Sequence, residues 1–324
     1  MKTTPWAERA DFRADPTAKR FGPRSVEVEM DRCRVLSLDG GGIKGFQTLG
    51  VLKELETTVG VPLGQHFHLI YGTSTGACTA AFLALGARIE DIVAFYRQHI
   101  PIVLQERTPG GRSAALRAFC RAAFGRQDFS AFCTQVGIVC TDWQRGRPVV
   151  LKTGSSPPGL GCTIAQAVQA SCSAYPVFSS SRIRLHGLGR RELVDGSYCA
   201  NNPVLFAIAE AITGLKQIHS NLRVVSIGVG TYSAPDYRGL MRLLHMVNGV
   251  GVLKKTFHIN TESMDQMRAD LFPDMHAVRI NDHFGQHVVA VDFIHSDVKK
   301  FDLLFRCGRR SFARHDGALR AILA

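Results

Sequence analysis

Three short segments hold residue types that could activate a hydroxyl beside a site for negative charge. The first, Gly72-Thr73-Ser74-Thr75-Gly76, is a G-x-S-x-G. Where such a pentapeptide joins a strand to a helix, the tight turn pushes the serine hydroxyl outward, and small flanking residues keep the adjoining turn clear. The helix that follows also points its positive end at the hydroxyl, favouring negative charge that develops there. The flanking sequence supplies both elements, so Ser74 is the candidate nucleophile. The second segment is Asp39-Gly40-Gly41-Gly42-Ile43-Lys44-Gly45. Successive glycines let main-chain N–H groups converge on an anion, which could be a phosphate or the oxyanion of an acyl-transfer intermediate. The third is Glu192-Leu193-Val194-Asp195-Gly196-Ser197, an acid after a short apolar stretch and before a glycine turn. An isolated Asp-Gly is ordinarily a turn, so this segment gains weight only from the other two.

Other chemistries fit less well. Gly40-Gly41-Gly42-Ile43-Lys44-Gly45 satisfies G-x-G-x-x-G, but the acid that should close a second strand about 20 residues on is missing. Glu54 and Glu56 fall within a helical pattern instead, and no P-loop occurs. The nine cysteines form no CxxC pair and no acidic calcium loop is present, so no metal site and no cofactor is expected. Eight of the twelve histidines follow Asp195, which leaves the order Ser…Asp…His formally open. Lys44 has two readings, a headgroup-attracting residue at the site mouth or a solvated residue at a helix start.

The elements that would position these residues can be read from periodicity. A strand at 34–38 runs into the glycine segment, and Phe46, Leu49, Leu52, Leu55 and Val59 then recur at helical spacing. A strand at 66–71 leads into Ser74, and the small residues 77–85 read as a buried helix. Helical patterns also fit 88–99, 113–124, 163–171 and 203–213, with strands at 136–142, 148–152 and 223–229. Segments 106–113 and 153–161 read as loops, 240–265 has helical spacing, and 297–323 has room for two helices. This alternation predicts an α/β fold, a mostly parallel central sheet covered by helices on both faces in three layers. The chain divides into an N-terminal arm, 1–31, and a single domain, 32–324. The motifs of that domain lie within 33–210, and its C-terminal part, from about 232 to 324, is expected to be helical.

The net charge of +12 across 324 residues, 45% of them hydrophobic, excludes a disordered or fibrous chain. No apolar run approaches a membrane span, residues 1–30 show no secretory pattern, and the thiols read as reduced, which together predict a cytoplasmic protein. Dispersed, the positive charge aids solubility; clustered, it would draw the chain to nucleic acid or an anionic bilayer.

In their order and spacing, Asp39-Gly-Gly-Gly-x-x-Gly45, Gly72-Thr-Ser-Thr-Gly76 and Asp195-Gly196 resemble the patatin-like phospholipases over roughly residues 33–210. Residues Ala170 to Phe178 are similar to the small-residue stretch that precedes the Asp-Gly turn in that family. The resemblance implies a Ser–Asp dyad without a catalytic histidine: Ser74 as nucleophile, Asp195 as base, and the amides of Gly40, Gly41 and Gly42 as the oxyanion hole. Asp39, Gly45, Gly72, Gly76 and Gly196 would support the three motifs. One departure is Ser197, where many members carry Gly or Ala. The implied partners are membrane phospholipids, met peripherally at the inner face of the membrane, with no stable nucleic-acid partner and with homo-oligomerisation left open. Short bacterial members also resemble antiphage effectors switched on by cyclic oligonucleotides, whose pocket would be sought among the basic residues of 232–324. The alternative is a non-enzymatic nucleotide or nucleic-acid binder that uses the glycine loop and the positive charge.

Overall fold

The structure, a computed structural model, describes residues 32–232, 249–284 and 299–323. The N-terminal arm expected at 1–31 lies outside the described residues, as does the start of the helical stretch expected from 240. The first strand, β1 (Cys33–Leu38), shows why the chain folds in layers. Its side chains alternate, with Cys33 and Val35 packing on one face of a sheet and Leu36 and Leu38 on the other, all fully buried. A strand that is apolar on both sides needs cover on both faces.

The cover comes from crossovers between parallel strands. Helix α1 (Gly45–Val59) and the short α2 (Leu63–His66) carry the chain from β1 to β2 (Leu69–Thr73). Three helices, α3 (Thr75–Ala84), α4 (Ile89–Gln105) and α5 (Pro109–Phe124), then lead to β3 (Gln135–Asp142). An antiparallel return strand, β4 (Arg147–Lys152), is followed by α6 (Ile164–Ser171) and the hairpin β5 (Ser181–Leu185) and β6 (Gly189–Asp195). After one turn of helix, α7 (Ser197–Ala200), comes α8 (Val204–Thr213) and then β7 (Leu222–Ile227). Beyond the two-residue β8 (Thr231–Tyr232) lie α9 (Gly249–Leu271), β9 (His276–Ile280), the two-residue β10 (His283–Phe284) and α10 (Lys299–Leu323).

The main sheet runs β5-β6-β3-β2-β1-β7-β9, with β4 also paired to β3. Its stretch from β3 through β2, β1 and β7 to β9 is parallel, and β4, β6 and β5 add an antiparallel end. Helix α8 covers one face over Val35, Leu69, Tyr71 and Val224. The other face is covered by α1, α3 to α6 and α10, with Phe301 of α10 stacked on Phe46 of α1 at 4.3 Å. Because β9 joins the sheet and α10 enters this core, the C-terminal part shares one hydrophobic body with the motif-bearing segments.

Local boundaries correct the sequence reading in three places. His66 ends the helical turn α2, so the strand expected from 66 begins at Leu69. The loop expected at 106–113 is helical from Pro109, because the Thr108 side chain accepts the Gly111 N–H and caps the first turn. The two helices expected in 297–323 are one, whose apolar stripe (Phe301, Leu304, Phe312, Leu319, Ile322) stays on one face throughout.

Candidate active site

Ser74 sits between the end of β2 and the start of α3 with φ 54° and ψ −125°. A side chain in that left-handed region is strained, and only close packing keeps it there. The packing is visible at the flanking glycines. A Cβ at Gly72 would lie 2.4 Å from the Gly76 carbonyl oxygen, and one at Gly76 would lie 2.2 Å from that of Leu38. The Ser74 N–H donates to Ser171 Oγ at 2.9 Å, and that hydroxyl donates in turn to the Val139 carbonyl at 2.6 Å. Helix α6 therefore pins the elbow through one side chain.

The Ser74 hydroxyl donates to Asp195 Oδ2 at 2.7 Å. Asp195 ends β6 opposite Cys140 of β3, and its own N–H donates to the Ser173 carbonyl at 3.0 Å. Its other oxygen, Oδ1, accepts the Ser197 N–H at 2.8 Å. Burial pushes the Asp195 carboxyl up to about 6, while the Ser197 amide and hydroxyl and the Ser74 hydroxyl pull it back. Serine at 197, the departure from the family pattern, thus gives the carboxylate a second donor. Gly196 carries the chain past Val139, whose carbonyl oxygen would stand 2.2 Å from any Cβ there. Among the described residues no histidine bonds to Ser74 or Asp195.

The glycine segment meets the same place from β1. A Cβ on Gly40 would come within 3.1 Å of the Ser74 Cβ, which sets the loop against the elbow. One amide, however, is otherwise engaged: the Gly40 N–H donates to the Asn201 carbonyl at 3.0 Å, and Asn201 Nδ2 returns a bond of 3.3 Å to the Gly40 carbonyl. Gly40 is therefore a fastening point, its amide turned to Asn201 in this structure. For the amides of Gly41 and Gly42 no acceptor is found among the described residues. Gly45 opens α1 beside Thr75.

Asp39 faces away from the serine, 2% exposed, and its two oxygens accept from Arg279 of β9 at 2.8 and 2.6 Å. Arg279 also donates to Ser226 Oγ at 2.8 Å on β7. This buried fork ties the glycine loop to the far edge of the sheet. Lys44 follows the loop and is partly buried; burial, and then the charge of Lys254 on α9, bring its ammonium down to about 8. The sequence reading did not single out Arg279, Asn201 or the role of Ser171. Of the three, only Ser171 carried a signal, the small-residue stretch in which it lies.

A buried serine–carboxylate pair at a strand–helix elbow, beside a glycine turn in an α/β sheet, defines a serine hydrolase. Residues 36–208 match the family model of the patatin-like phospholipases, and the chain belongs to that family. It is 44% identical over 300 residues to a cUMP-AMP-activated phospholipase of Escherichia coli, a match covering 90% of this chain and 94% of that one. Two cGAMP-activated phospholipases, from Escherichia coli (strain TW11681) and Pseudomonas aeruginosa, are 26% and 28% identical, and each match covers 62% of this chain and 63% of the relative. The non-enzymatic reading of the glycine loop gives way to a hydrolase.

Proposed function

We propose that the protein hydrolyses the acyl esters of membrane glycerophospholipids through a Ser74–Asp195 dyad. The observation that carries this reading is the 2.7 Å bond from Ser74 Oγ to a buried Asp195 oxygen. Asp195 takes the hydroxyl proton as Ser74 Oγ adds to the ester carbonyl carbon, and the amides of Gly41 and Gly42 hold the oxyanion. Collapse of the tetrahedral adduct expels the lysophospholipid alkoxide, which takes the proton from Asp195. Water then gives a proton to Asp195 and adds to the acyl-serine; fatty acid departs and Ser74 recovers its hydrogen. Every proton passes through one carboxylate, which is suited to the exchange because its affinity for a proton lies closer to neutrality than that of a solvated aspartate.

The second part of the proposal is control by a cyclic oligonucleotide, as the names of three relatives state for those proteins. An enzyme of this kind would meet the inner face of the membrane peripherally and serve in defence against phage. Among the described residues no helix is long and apolar enough to cross a membrane. Within 232–324 the basic residues described include Arg306, Arg309, Arg310 and Arg320, which line an open groove between α10 and α1.

The test is covalent and then catalytic. A fluorophosphonate is expected to label Ser74, located by peptide mass spectrometry, and phospholipid vesicles are expected to release fatty acid faster with cUMP-AMP than without. Labelling elsewhere, with hydrolysis intact in Ser74→Ala, would remove the dyad. Equal rates with cUMP-AMP, cGAMP and no nucleotide would remove the control.

A further inference from the structure

Trp143 and Tyr175 are each 44% exposed, and they stand together beside the site. Their ring centroids are 5.5 Å apart; Tyr198 lies 5.4 Å from Trp143, and Phe257 continues the row 5.2 Å from Tyr198. The segments that carry these rings are those that hold Asp195. Trp143 follows the last residue of β3, and its N–H donates to the Glu192 carbonyl of β6 at 2.9 Å. Tyr198 comes three residues after Asp195 and donates its hydroxyl to the Tyr175 carbonyl, while Ser173, two residues earlier, accepts the Asp195 N–H. The row is graded in depth: Phe257 is buried, Tyr198 partly buried, and the outer two rings are open to solvent. The turn that presents Trp143 also exposes Arg145 and Arg147, the former paired with Asp142 at 3.4 Å.

These groups fit one kind of partner. Indole and phenol rings, apolar in body and polar at the tip, settle where hydrocarbon meets headgroup. Arginines beside them meet negative charge on that same surface. We propose that the Trp143–Tyr175–Tyr198 wall enters the headgroup boundary of an anionic phospholipid bilayer and so delivers acyl esters to the site. This rests on the phospholipase reading, and the experiment separates the two.

Trp6 and Trp143 are the chain's two tryptophans, so a Trp6→Phe protein carries Trp143 as its single indole. Ser74→Ala in the same protein keeps vesicles intact. Emission is recorded with phosphatidylglycerol/phosphatidylethanolamine vesicles, plain and with brominated acyl chains, with and without cUMP-AMP. Insertion is expected to shift Trp143 emission to shorter wavelength and to quench it on brominated chains in at least one condition. Emission unmoved and unquenched in both conditions overturns the proposal, as does a blue shift that depends on protein concentration and not on vesicles, the mark of a second copy covering the wall. A Trp143→Ala/Tyr175→Ala protein is expected to co-sediment with these vesicles at least about tenfold more weakly, the loss of roughly one buried aromatic side chain; unchanged co-sedimentation counts against the wall. Hydrolysis of a short-chain soluble ester by the wild-type protein reports on the dyad alone. Its absence both with and without cUMP-AMP would end the phospholipase reading and leave the docking result to stand by itself.

Discussion

Ser74 Oγ and Asp195 Oδ2 lie 2.7 Å apart although 121 residues separate them in the chain, and both side chains are almost wholly buried. Neither group alone would make a site. The serine is presented by a local turn, whereas the carboxylate arrives on a strand that pairs antiparallel to β3 beyond the end of β2. If the two act as a unit, Ser74→Ala and Asp195→Asn should each lower ester hydrolysis by roughly 10³-fold or more, and the double variant should be no worse than either. Steady-state rates on a soluble ester, with circular dichroism to show the fold intact, check this.

The protonation of Asp195 sets the acid side of the pH profile. Burial raises the carboxyl to about 6, and only its ionised form can take the Ser74 proton. Activity should therefore fall as pH drops through about 6. Ser197 supplies hydrogen bonds that favour the charged form, and its hydroxyl is one of them. Ser197→Ala removes that hydroxyl and keeps the amide, so the acid limb should move to higher pH. The pH dependence of kcat/KM in the two proteins reads the shift directly; a limb that stays in place or moves down contradicts the role given to Ser197.

The same carboxylate should cost stability. Its folded-state value of about 6 exceeds the 3.8 of a free aspartate, so its stabilising contribution is complete below about pH 4 and is lost as pH rises through about 6. Two units correspond to about 3 kcal/mol. Asparagine does not titrate, and its amide can accept from the Ser197 N–H and donate to Ser74 Oγ. Asp195→Asn should thus be more stable than wild type at pH 7 by up to about 3 kcal/mol while being inactive. The difference should shrink towards pH 4, as measured by urea unfolding at several pH values.

How much of this was legible in the sequence follows from the range of each interaction. The elbow is local: a strand, five residues and a helix, all within one pattern. The base could be seen only through the company of the other motifs, because Asp195-Gly196 alone is a turn. Arg279 left no trace, since its partner Asp39 lies 240 residues away and an arginine within a short strand has no pattern of its own. Asn201, which takes the Gly40 amide out of use, is 161 residues from it and hidden for the same reason. The hairpin β5–β6 escaped notice because its alternation is written in arginines, with Arg182, Arg184 and Arg190 turned outward, so that little apolar sequence marks it. The layered architecture was readable because strand and helix periods alternate over the whole motif-bearing region.

Asp39 and Arg279 make a prediction about the glycine loop. Removing one partner of a buried ion pair leaves the other charged and unpaired, which typically costs about 3–5 kcal/mol. Arg279→Met should therefore destabilise strongly, whereas Arg279→Met combined with Asp39→Leu should recover much of that loss. Ester hydrolysis should remain low in the double variant, because the loop that presents Gly41 and Gly42 has lost its tie to β9. Denaturant midpoints and kcat for the three proteins separate the two effects. A double variant destabilised by the sum of the losses in Arg279→Met and Asp39→Leu alone would show that the pair is not coupled.

Strain at Ser74 leads to a comparison between two inactive proteins. Its φ of 54° places a Cβ-bearing residue where glycine is at ease, at a cost on the order of 1–3 kcal/mol. Ser74→Ala and Ser74→Gly both lose the bond to Asp195 and the nucleophile, so neither should hydrolyse esters. They differ in backbone. Alanine keeps the strain, while glycine relieves it but gives roughly 0.5–1 kcal/mol back through a more flexible unfolded chain. Relief should win: Ser74→Gly should unfold at higher denaturant than Ser74→Ala, by up to about 2 kcal/mol. If alanine proves the more stable of the two, the elbow is not under tension, and the aim of the hydroxyl at Asp195 needs another source than the fit of Gly72 and Gly76 against the chain around them.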